Sequence, residues 1–346
     1  MKHIFIIHSN ISYLASLGVI CKERIPNKNV IFIAKKYSNE WGPIPIHNIG
    51  IRTMKDLFRH PIDVLAPIYS IDKHINKLCE NEKYIAYVDA VTSLQQIIIT
   101  NKNCVNFHYI EEGLSVYREK IYFQSLFEQF SKERSFRNNK IRYILSDIIA
   151  ILKGFSLKMQ ALPYIYNACF NCIDKKFYGF SENSFYRANN LEIISLKQVK
   201  DSFNWTKKYD LDNCHIWLGL SFTESDGIRM DSYIDAIRNG CINKLIDDNI
   251  NKIFVKFHPV ESEESKKCTM ELFETYNINV EILPNNLFLE IELLLTQNVT
   301  LWSVDTSIFL YAAEMGHQCN SIIKHLKGYN VDFSHIPTFY RKINIV

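Results

Sequence analysis

The stretch HYIEEGLSVY places two adjacent carboxylates where an apolar segment ends. Glu111 and Glu112 directly follow the apolar run CVNFHYI, and Gly113 comes next. Acidic pairs are usually solvated, but a carboxylate can also act as a general base that takes a proton from an attacking hydroxyl. Open α/β sheets bind ligands outside the carboxyl ends of their strands, so this position favours a chemical role for the pair.

Three further polar groups stand at predicted strand ends or helix starts in the second half of the chain. Residues 256–259, KFHP, close the run KIFVKFHP; Glu290 lies in the helical pattern LFLEIELL; Ser303, Thr306 and Ser307 precede the apolar run IFLYAAEMG. Ammonium, imidazole and hydroxyl groups and the N–H groups of a helix start can all bind phosphate. Each group also has a structural explanation, because a serine or threonine before an apolar run is usually a helix N-cap.

The elements that would position these residues alternate between short apolar runs and helical patterns. HIFIIH, VIFIAKK and KYIAYVD join CVNFHYI in the first half, and CHIWLGLSF and INVEILP join KIFVKFHP in the second. Strand–helix alternation predicts parallel sheets that are covered on both faces. The polar, irregular residues 182–212 are typical of an interdomain connection. We therefore predict two Rossmann-like domains, residues 1–190 and 191–346, with the last helix able to pack back on the first domain.

Composition restricts the class of protein. The chain has 346 residues, 47% of them hydrophobic, and a formal net charge of +3, which gives no argument for a nucleic-acid partner. Nine cysteines without a recognisable secretory leader predict reduced thiols in a cytoplasmic protein. The lone pair Cys169 and Cys172 lacks the second pair of a zinc site. No G-x-G-x-x-G motif supports a dinucleotide cofactor.

An acid-acid-glycine motif, then Lys-x-His-Pro, then a hydroxyl pair that opens a helix resembles the bacterial sialyltransferases of GT-B fold. These include capsular polysialyltransferases and lipooligosaccharide sialyltransferases. The resemblance rests on the short motifs EEG, KFHP, LFLE and DTS, and Thr306 with Ser307 replaces the more usual paired serines. It implies an α/β protein of GT-B type, with two facing Rossmann-like domains and a cleft between them. It also implies inverting transfer of sialic acid from CMP-sialic acid to a sugar hydroxyl, with galactose expected, on a lipopolysaccharide O-antigen or capsule.

By this resemblance the first domain binds the acceptor and supplies the base. Glu112 is expected to take the proton of the incoming hydroxyl, while Glu111 orients it or raises its pKa by like-charge repulsion. Gly113 would let backbone and acceptor approach closely. Ser9 and Asn10, after the first strand, are weaker candidates for contact with donor or acceptor. His8 and His108 are expected to be structural.

The second domain is expected to bind the nucleotide and the departing phosphate. His258 would donate to the phosphate and Pro259 would fix its turn, whereas the other His-Pro pair, at His60, has no preceding strand and is predicted to be structural. Glu290 resembles the acid that binds the ribose hydroxyls. The remaining residues predicted to bind substrate are Lys256, Ser303, Thr306 and Ser307. One phosphate can be neutralised by these groups without magnesium, so neither a metal nor another cofactor is expected.

Two alternatives remain open at this stage. The protein could be a GT-B glycosyltransferase with a UDP-sugar donor, or a non-catalytic peripheral membrane protein that binds glycans. Residues 132–158 contain seven Lys or Arg and two acids, which form either a solvated basic helix face or a patch for the anionic inner leaflet of the plasma membrane. The expected acceptor is an oligosaccharide or a lipid-linked glycan, and a lipid-linked acceptor would make such docking useful.

Overall fold

The computed structural model describes residues 1–34, 42–49, 65–89, 93–117, 174–185, 188–221, 227–304, 306–327 and 343–346. These residues form two compact units, Met1–Asn204 and Trp205–Val346. Each unit is built around one β-sheet whose strand pairs are all parallel. The predicted pair of parallel α/β domains is therefore confirmed.

The first unit has a seven-stranded sheet in the order β3-β2-β1-β4-β5-β6-β7. Its strands are β1 (Lys2–Ile7), β2 (Val30–Ala34), β3 (Ile46–Asn48), β4 (Tyr84–Val88), β5 (Cys104–Ile110), β6 (Phe177–Gly179) and β7 (Leu191–Ile193). Its described helices are α1 (Asn10–Glu23), α2 (Leu65–Leu78), α3 (Ser93–Thr100) and α4 (Leu196–Ser202). The strand order reverses between β1 and β4, because β2 and β3 lie on one side of β1 and β4 to β7 on the other.

The apolar runs account for this arrangement. The last four residues of β1 are buried, as expected for a central strand that is covered on both faces. Helix α1 is buried from Ile11 to Ile20 and begins at a capping box, in which Ser9 and Ser12 each bond the backbone N–H of the other. A Cβ on Gly18 would lie 3.0 Å from Ile194, so this glycine lets α1 pack closely on the segment after β7.

The second unit has a six-stranded sheet in the order β10-β9-β8-β11-β12-β13. Its strands are β8 (His215–Leu218), β9 (Lys252–Lys256), β10 (Asn279–Ile282), β11 (Thr300–Ser303), β12 (Gln318–Ser321) and β13 (Asn344–Ile345). The helices are α5 (Met230–Ile237), α6 (Asn243–Asp247), α7 (Glu263–Thr275), α8 (Leu289–Leu295) and α9 (Ser307–Glu314). Large side chains such as Trp217, Trp302, Tyr233 and Phe273 fill its core.

The unit boundary lies at residue 204 and not at the predicted residue 190. The reason is that β7 pairs with β6 and therefore belongs to the first sheet. Over the described ranges, no helix combines the length and apolarity needed to cross a membrane. The basic segment 132–158, His60 and the last predicted helix lie outside the described residues, so the predictions about them stay predictions.

Candidate functional site

Three neighbouring strands of the first unit end in side chains that can do acid–base chemistry. His8 follows β1, Asp89 follows β4, and Glu111 and Glu112 follow β5. Strands β1 and β4 flank the point where the strand order reverses, which is where open α/β sheets bind their ligands. The residue pair that the sequence singled out thus stands beside a histidine and an aspartate that lie far away in the chain.

The imidazole of His8 lies between two carboxylates. Its Nδ1 contacts Oδ2 of Asp89, and its Nε2 lies 3.4 Å from Oε2 of Glu112. The Asp89 side chain is 1% exposed and also accepts a hydrogen bond from the amide of Gln95, whereas His8 is 49% and Glu112 18% exposed. The three side chains form a row that runs from a buried carboxylate to one that water and substrate can reach.

The charges in this row raise the pKa of His8 above its ordinary value of 6.5. Burial of the ring lowers the pKa, but the hydrogen bond and the charge of Asp89, together with the charge of Glu112, outweigh burial. Because half of the ring is exposed, water screens part of the effect. The geometry therefore favours a histidine that gains a proton readily near neutral pH.

The same three residues could also bind a cation. One nitrogen of His8 and one carboxylate oxygen from each of Asp89 and Glu112 lie within 4.8 Å of one another, and these are atom types that bind divalent metals. The ring, however, directs a different nitrogen at each carboxylate, which is the arrangement of a hydrogen-bonded row. The predicted independence from metals stays a prediction.

The carboxylate of Glu111 is fully buried and bound by three donors. Tyr117 donates its hydroxyl to Oε1 at 2.8 Å, and Oε2 accepts from the Phe180 N–H and from Ser184 Oγ, both at 2.8 Å. These contacts tie the end of β5 to the segment after β6. The sequence predicted that Glu111 would orient Glu112 or raise its pKa. In the structure, the hydrogen bonds of the Glu111 carboxylate stabilise the local fold.

Gly113 and Ser9 shape the backbone around Glu112. Gly113 has φ +149°, a conformation that residues with a side chain rarely adopt, and a Cβ there would meet nothing within 4 Å. Glycine is thus needed for the backbone conformation, and the close approach of an acceptor that the sequence suggested stays a prediction. Ser9, the N-cap of α1, also donates its hydroxyl to the Glu112 carbonyl at 3.3 Å, and Asn10 begins the helix.

In the second unit, β9 ends at Lys256, and His258 lies two residues later. Its backbone N–H donates to Oε2 of Glu261 at 3.1 Å, and its Nδ1 accepts from the Val260 N–H at 3.4 Å. Acceptance at Nδ1 places the proton of the neutral ring on Nε2, which makes Nε2 a hydrogen-bond donor. The turn that includes Pro259 thus favours the tautomer with the proton on Nε2, and the predicted donation to a departing phosphate stays a prediction.

Glu261 holds this turn in place from below the surface. It is 4% exposed, and its second oxygen, Oε1, accepts from Ser265 Oγ at 3.1 Å. A Cβ on Gly219, just after β8, would lie 2.2 Å from Oε2 of Glu261 and 3.2 Å from the Phe257 Cα. Glycine at 219 therefore allows the end of β8 to pack against the His258 turn.

Two residues predicted to bind substrate instead contact the backbone. The ammonium of Lys256 donates to the carbonyls of Pro284 and Asn285 at 3.1 and 3.2 Å, and Ser303 donates its hydroxyl to the Leu218 carbonyl at 2.9 Å. Burial lowers the pKa of Lys256, and the charge of Glu290 opposes this shift. Glu290 is itself buried, in the first turn of α8. The roles proposed for these three residues stay predictions.

Thr306 and Ser307 stand at the start of α9. Thr306 is the N-cap, and its hydroxyl accepts from the Ile308 N–H at 3.3 Å, while Ser307 is the first helical residue. Both side chains are half-buried. Strand β11, which precedes them, neighbours β8 at the second reversal of strand order. The hydroxyl pair is thus at a helix start beside this reversal, and Asp305 lies outside the described residues. The predicted contact of the pair with substrate stays a prediction.

Comparison with known proteins identifies the fold. No family model and no curated protein matches the chain. A Listeria monocytogenes protein assigned as a UDP-N-acetylglucosamine 2-epimerase aligns over 99% of this chain and 83% of its own, with 11% identity and a TM-score of 0.52. The chain has a GT-B fold.

Two other solved structures align over 99% of the chain with lower scores. They are the UDP-GlcNAc 2-epimerase of Methanocaldococcus jannaschii (91% of that chain, 12% identity, TM-score 0.42) and the MurG protein of Acinetobacter baumannii (82%, 10%, 0.40). Identities this low establish the fold class alone. The GT-B prediction is confirmed, and the predicted activity requires separate support.

Sequence reasoning missed His8 and Asp89 as site residues. Each directly follows a strand, so the rule that singled out Glu112 also applied to them. His8 was expected to be structural because a histidine after a strand is unremarkable until its neighbours are known. The missing information was the strand order, which places β4 beside β1 and so brings together residues that are 81 positions apart in the printed sequence.

Proposed function

We propose that the protein is a GT-B glycosyltransferase that transfers a sugar from a nucleotide-sugar donor to a hydroxyl, with Glu112 as general base. The row Asp89–His8–Glu112 carries this proposal, because it presents a partly exposed carboxylate at the reversal of strand order. A sugar hydroxyl is a poor nucleophile, so a base must remove its proton as it attacks the anomeric carbon. Ser9, through its hydrogen bond to the Glu112 carbonyl, supports the backbone that carries this base.

In the proposed step, one bond forms as another breaks. The acceptor oxygen bonds to the anomeric carbon, its proton moves to Glu112, and the bond from that carbon to the phosphate oxygen breaks with inversion. The phosphate departs with the electron pair, and the Nε2–H of His258 stabilises the new charge. The N–H groups at the start of α9, beside Thr306, are suited to the same anion.

The donor supported by the structural comparison is a UDP-sugar. The Listeria neighbour, which aligns over 99% of this chain, is assigned as an enzyme of UDP-N-acetylglucosamine. This support is limited to a shared fold at 11% identity.

CMP-sialic acid is the second candidate donor, with galactose of a surface glycan as the acceptor. The motifs EEG, KFHP and DTS favour it. So does the engagement of Lys256 and Ser303 with backbone carbonyls, because a donor with a single phosphate needs less neutralisation than a diphosphate. An acceptor on a lipid carrier would make the predicted docking of residues 132–158 on an anionic membrane useful.

The test is donor turnover by the purified protein. UDP-N-acetylglucosamine, UDP-galactose and CMP-sialic acid are each incubated with and without a galactose-terminated oligosaccharide, and released nucleotide and new glycan are measured. Acceptor-dependent release of UDP or CMP identifies the donor. Conversion of the UDP-sugar without an acceptor would show a sugar-modifying enzyme instead, and no turnover of any nucleotide sugar would contradict the proposal.

The variant Glu112→Gln tests the base. It keeps the shape of the side chain but cannot accept the proton, so kcat should fall by about 10²-fold or more while the donor Kd stays unchanged. Isothermal titration with the donor or with the matching free nucleotide measures that Kd. Turnover near the wild-type value would remove Glu112 from the mechanism.

A further inference from the structure

His8 contacts a carboxylate with each of its two ring nitrogens. The Asp89 carboxylate is buried and contacts Nδ1, and the Glu112 carboxylate is partly exposed and lies 3.4 Å from Nε2. The mechanism above uses Glu112 alone and assigns nothing to the ring beside it. A general base must also release the proton that it takes, and the geometry supplies a second acceptor for this proton.

We propose that His8, held by Asp89, is the relay that accepts from Glu112 the proton of the attacking hydroxyl. This inference rests on the proposed glycosyl transfer. The acceptor O–H bond breaks and the proton moves to Glu112, and the resulting carboxylic acid then passes it to Nε2 of neutral His8. The imidazolium that forms donates its Nδ1–H to Asp89. Because the ring is 49% exposed, it can afterwards release the proton to water.

The surroundings of Asp89 fix the direction of the relay. A buried carboxylate must be hydrogen-bonded. Asp89 accepts a hydrogen bond from the Gln95 amide at Oδ1, and its Oδ2 contacts Nδ1 of His8. With the Nδ1 proton held by Asp89, the lone pair of neutral His8 lies on Nε2, on the side of Glu112. Imidazole is ordinarily a stronger base than a carboxylate, so transfer from Glu112 to His8 runs downhill.

The charged groups that face His8 favour the protonated ring. Asp89 at the end of β4 and Glu112 at the end of β5 both raise its pKa. The first turn of α1, whose Ser12 Oγ accepts the His8 backbone N–H at 3.2 Å, contains no charged side chain, and neither does α3, which carries Gln95. An imidazolium formed by the relay is therefore stabilised by two anions.

The proposal predicts a particular pH dependence. The relay works only while His8 is neutral, so kcat should rise with pH through the raised pKa of His8. This acid limb should lie above the ordinary histidine value of 6.5. A histidine with a merely structural role would leave kcat without this dependence on the pKa of His8.

The experiment compares pH profiles from about pH 5 to pH 9, the interval in which histidine titrates. The variants are His8→Gln, Asp89→Asn and, as a matched control, His47→Gln, which changes an exposed histidine on β3. His8→Gln should lower kcat by about 10²-fold at high pH, leave KM unchanged and remove the acid limb that is due to His8. Asp89→Asn should lower kcat too, because an asparagine amide would donate to Nδ1 and leave Nε2 protonated. His47→Gln should match the wild type.

Chemical rescue separates the relay from a structural effect. In His8→Ala, free imidazole should restore part of the lost kcat, with the restored rate rising with pH, and should do nothing for His47→Ala. Circular dichroism and the Tm of each variant check that it is folded. Absence of rescue together with an unchanged acid limb in His8→Gln would overturn the relay.

Three further outcomes separate the relay from other assignments. If Glu112→Gln turns over at the wild-type rate, the base of the proposed function fails, and the relay fails with it. If Glu112→Gln is inactive while His8→Gln keeps both the wild-type kcat and its pH profile, the relay alone fails. If chelation abolishes transfer and added Mn²⁺ restores the wild type but not His8→Gln, the three side chains bind a cation, and the relay is wrong.

Discussion

Removing the carboxylate of Glu111 should cost stability, although its neighbour Glu112 is the residue expected to do chemistry. In Glu111→Ala, the Phe180 N–H and the hydroxyls of Tyr117 and Ser184 lose the acceptor that they share. A buried donor left without a partner costs about 1–3 kcal/mol. Because water can enter the space left by the side chain, we expect a total loss of about 3–5 kcal/mol in the free energy of unfolding.

Glu111→Gln should have a smaller effect of the same sign. Its amide oxygen can still accept from Phe180 and Ser184, while its amide N–H turns towards the Tyr117 hydroxyl oxygen. The loss is then that of charge-assisted hydrogen bonding, about 1–3 kcal/mol. Glu112→Gln is the matched control: it makes the same chemical change one residue later at a partly exposed side chain, and it should cost about 0.5 kcal/mol or less.

The assay combines urea unfolding with hydrogen exchange. Far-UV circular dichroism follows unfolding of the chain, and mass spectrometry follows exchange in a peptide that covers residues 176–186. Loss of the Glu111 acceptor should speed exchange of the Phe180 amide, whereas Glu112→Gln should leave it unchanged. If Glu111→Ala unfolded like the wild type and the Phe180 amide exchanged at the wild-type rate, the structural role of Glu111 would be refuted.

Three other predictions concern the turn after β9 and the ring of His8. His258→Ala should lose about 2–4 kcal/mol of transition-state stabilisation in kcat, and a larger loss in a folded His60→Ala would show that the wrong His-Pro pair was chosen. Because the folded-state pKa of His8 is raised, its stabilising effect is fully present below its unfolded-state pKa and is lost as pH rises through the folded-state value. The difference in unfolding free energy between wild type and His8→Gln should therefore be larger at about pH 6 than at about pH 8.5 in urea titrations, and a difference independent of pH would contradict the raised pKa. Gly219→Ala should destabilise the fold by about 1–3 kcal/mol, because its Cβ would meet Oε2 of Glu261 at 2.2 Å. The Tm should recover in part when Glu261→Ala is added. An unchanged Tm in Gly219→Ala would show that the turn can move to accept the Cβ.

Local sequence patterns were enough to predict the strands that carry the site. The runs CVNFHYI and KIFVK form β5 and β9, because Ile, Val, Phe and Tyr suit the strands of a parallel sheet. The last three residues of β5 and the middle three of β9 are buried. The hydroxyl pair at Thr306 and Ser307 caps α9, as its position before an apolar run predicted. Two such sets of elements joined by a polar segment predicted two Rossmann-like domains, and the resemblance of the short motifs implied the GT-B type.

Side-chain partners could not be predicted in the same way. Nothing near Glu111 in the sequence indicates that Phe180 and Ser184 will bind its carboxylate, since they are 69 and 73 positions away. Likewise, the pairing of His8 with Asp89 depends on which strands become neighbours. The sequence therefore identified an acidic pair at a strand end, but only the sheet order shows which acid is buried and which faces a histidine.

The order β2-β1-β4 also has a kinetic consequence. Strand β1 is synthesised before β4, which is one of its two partners and ends at residue 88. The hydrogen bond from Ser9 to the Glu112 carbonyl closes a loop of 103 residues. Contacts of such long sequence separation form late, since the entropy of loop closure opposes them until much of the sheet has assembled. Strands β1 and β4 are both synthesised before Glu112, so His8 and Asp89 can come together before Glu112 is present. Recovery of catalytic activity after dilution from denaturant would then report the last stage of folding of the first unit.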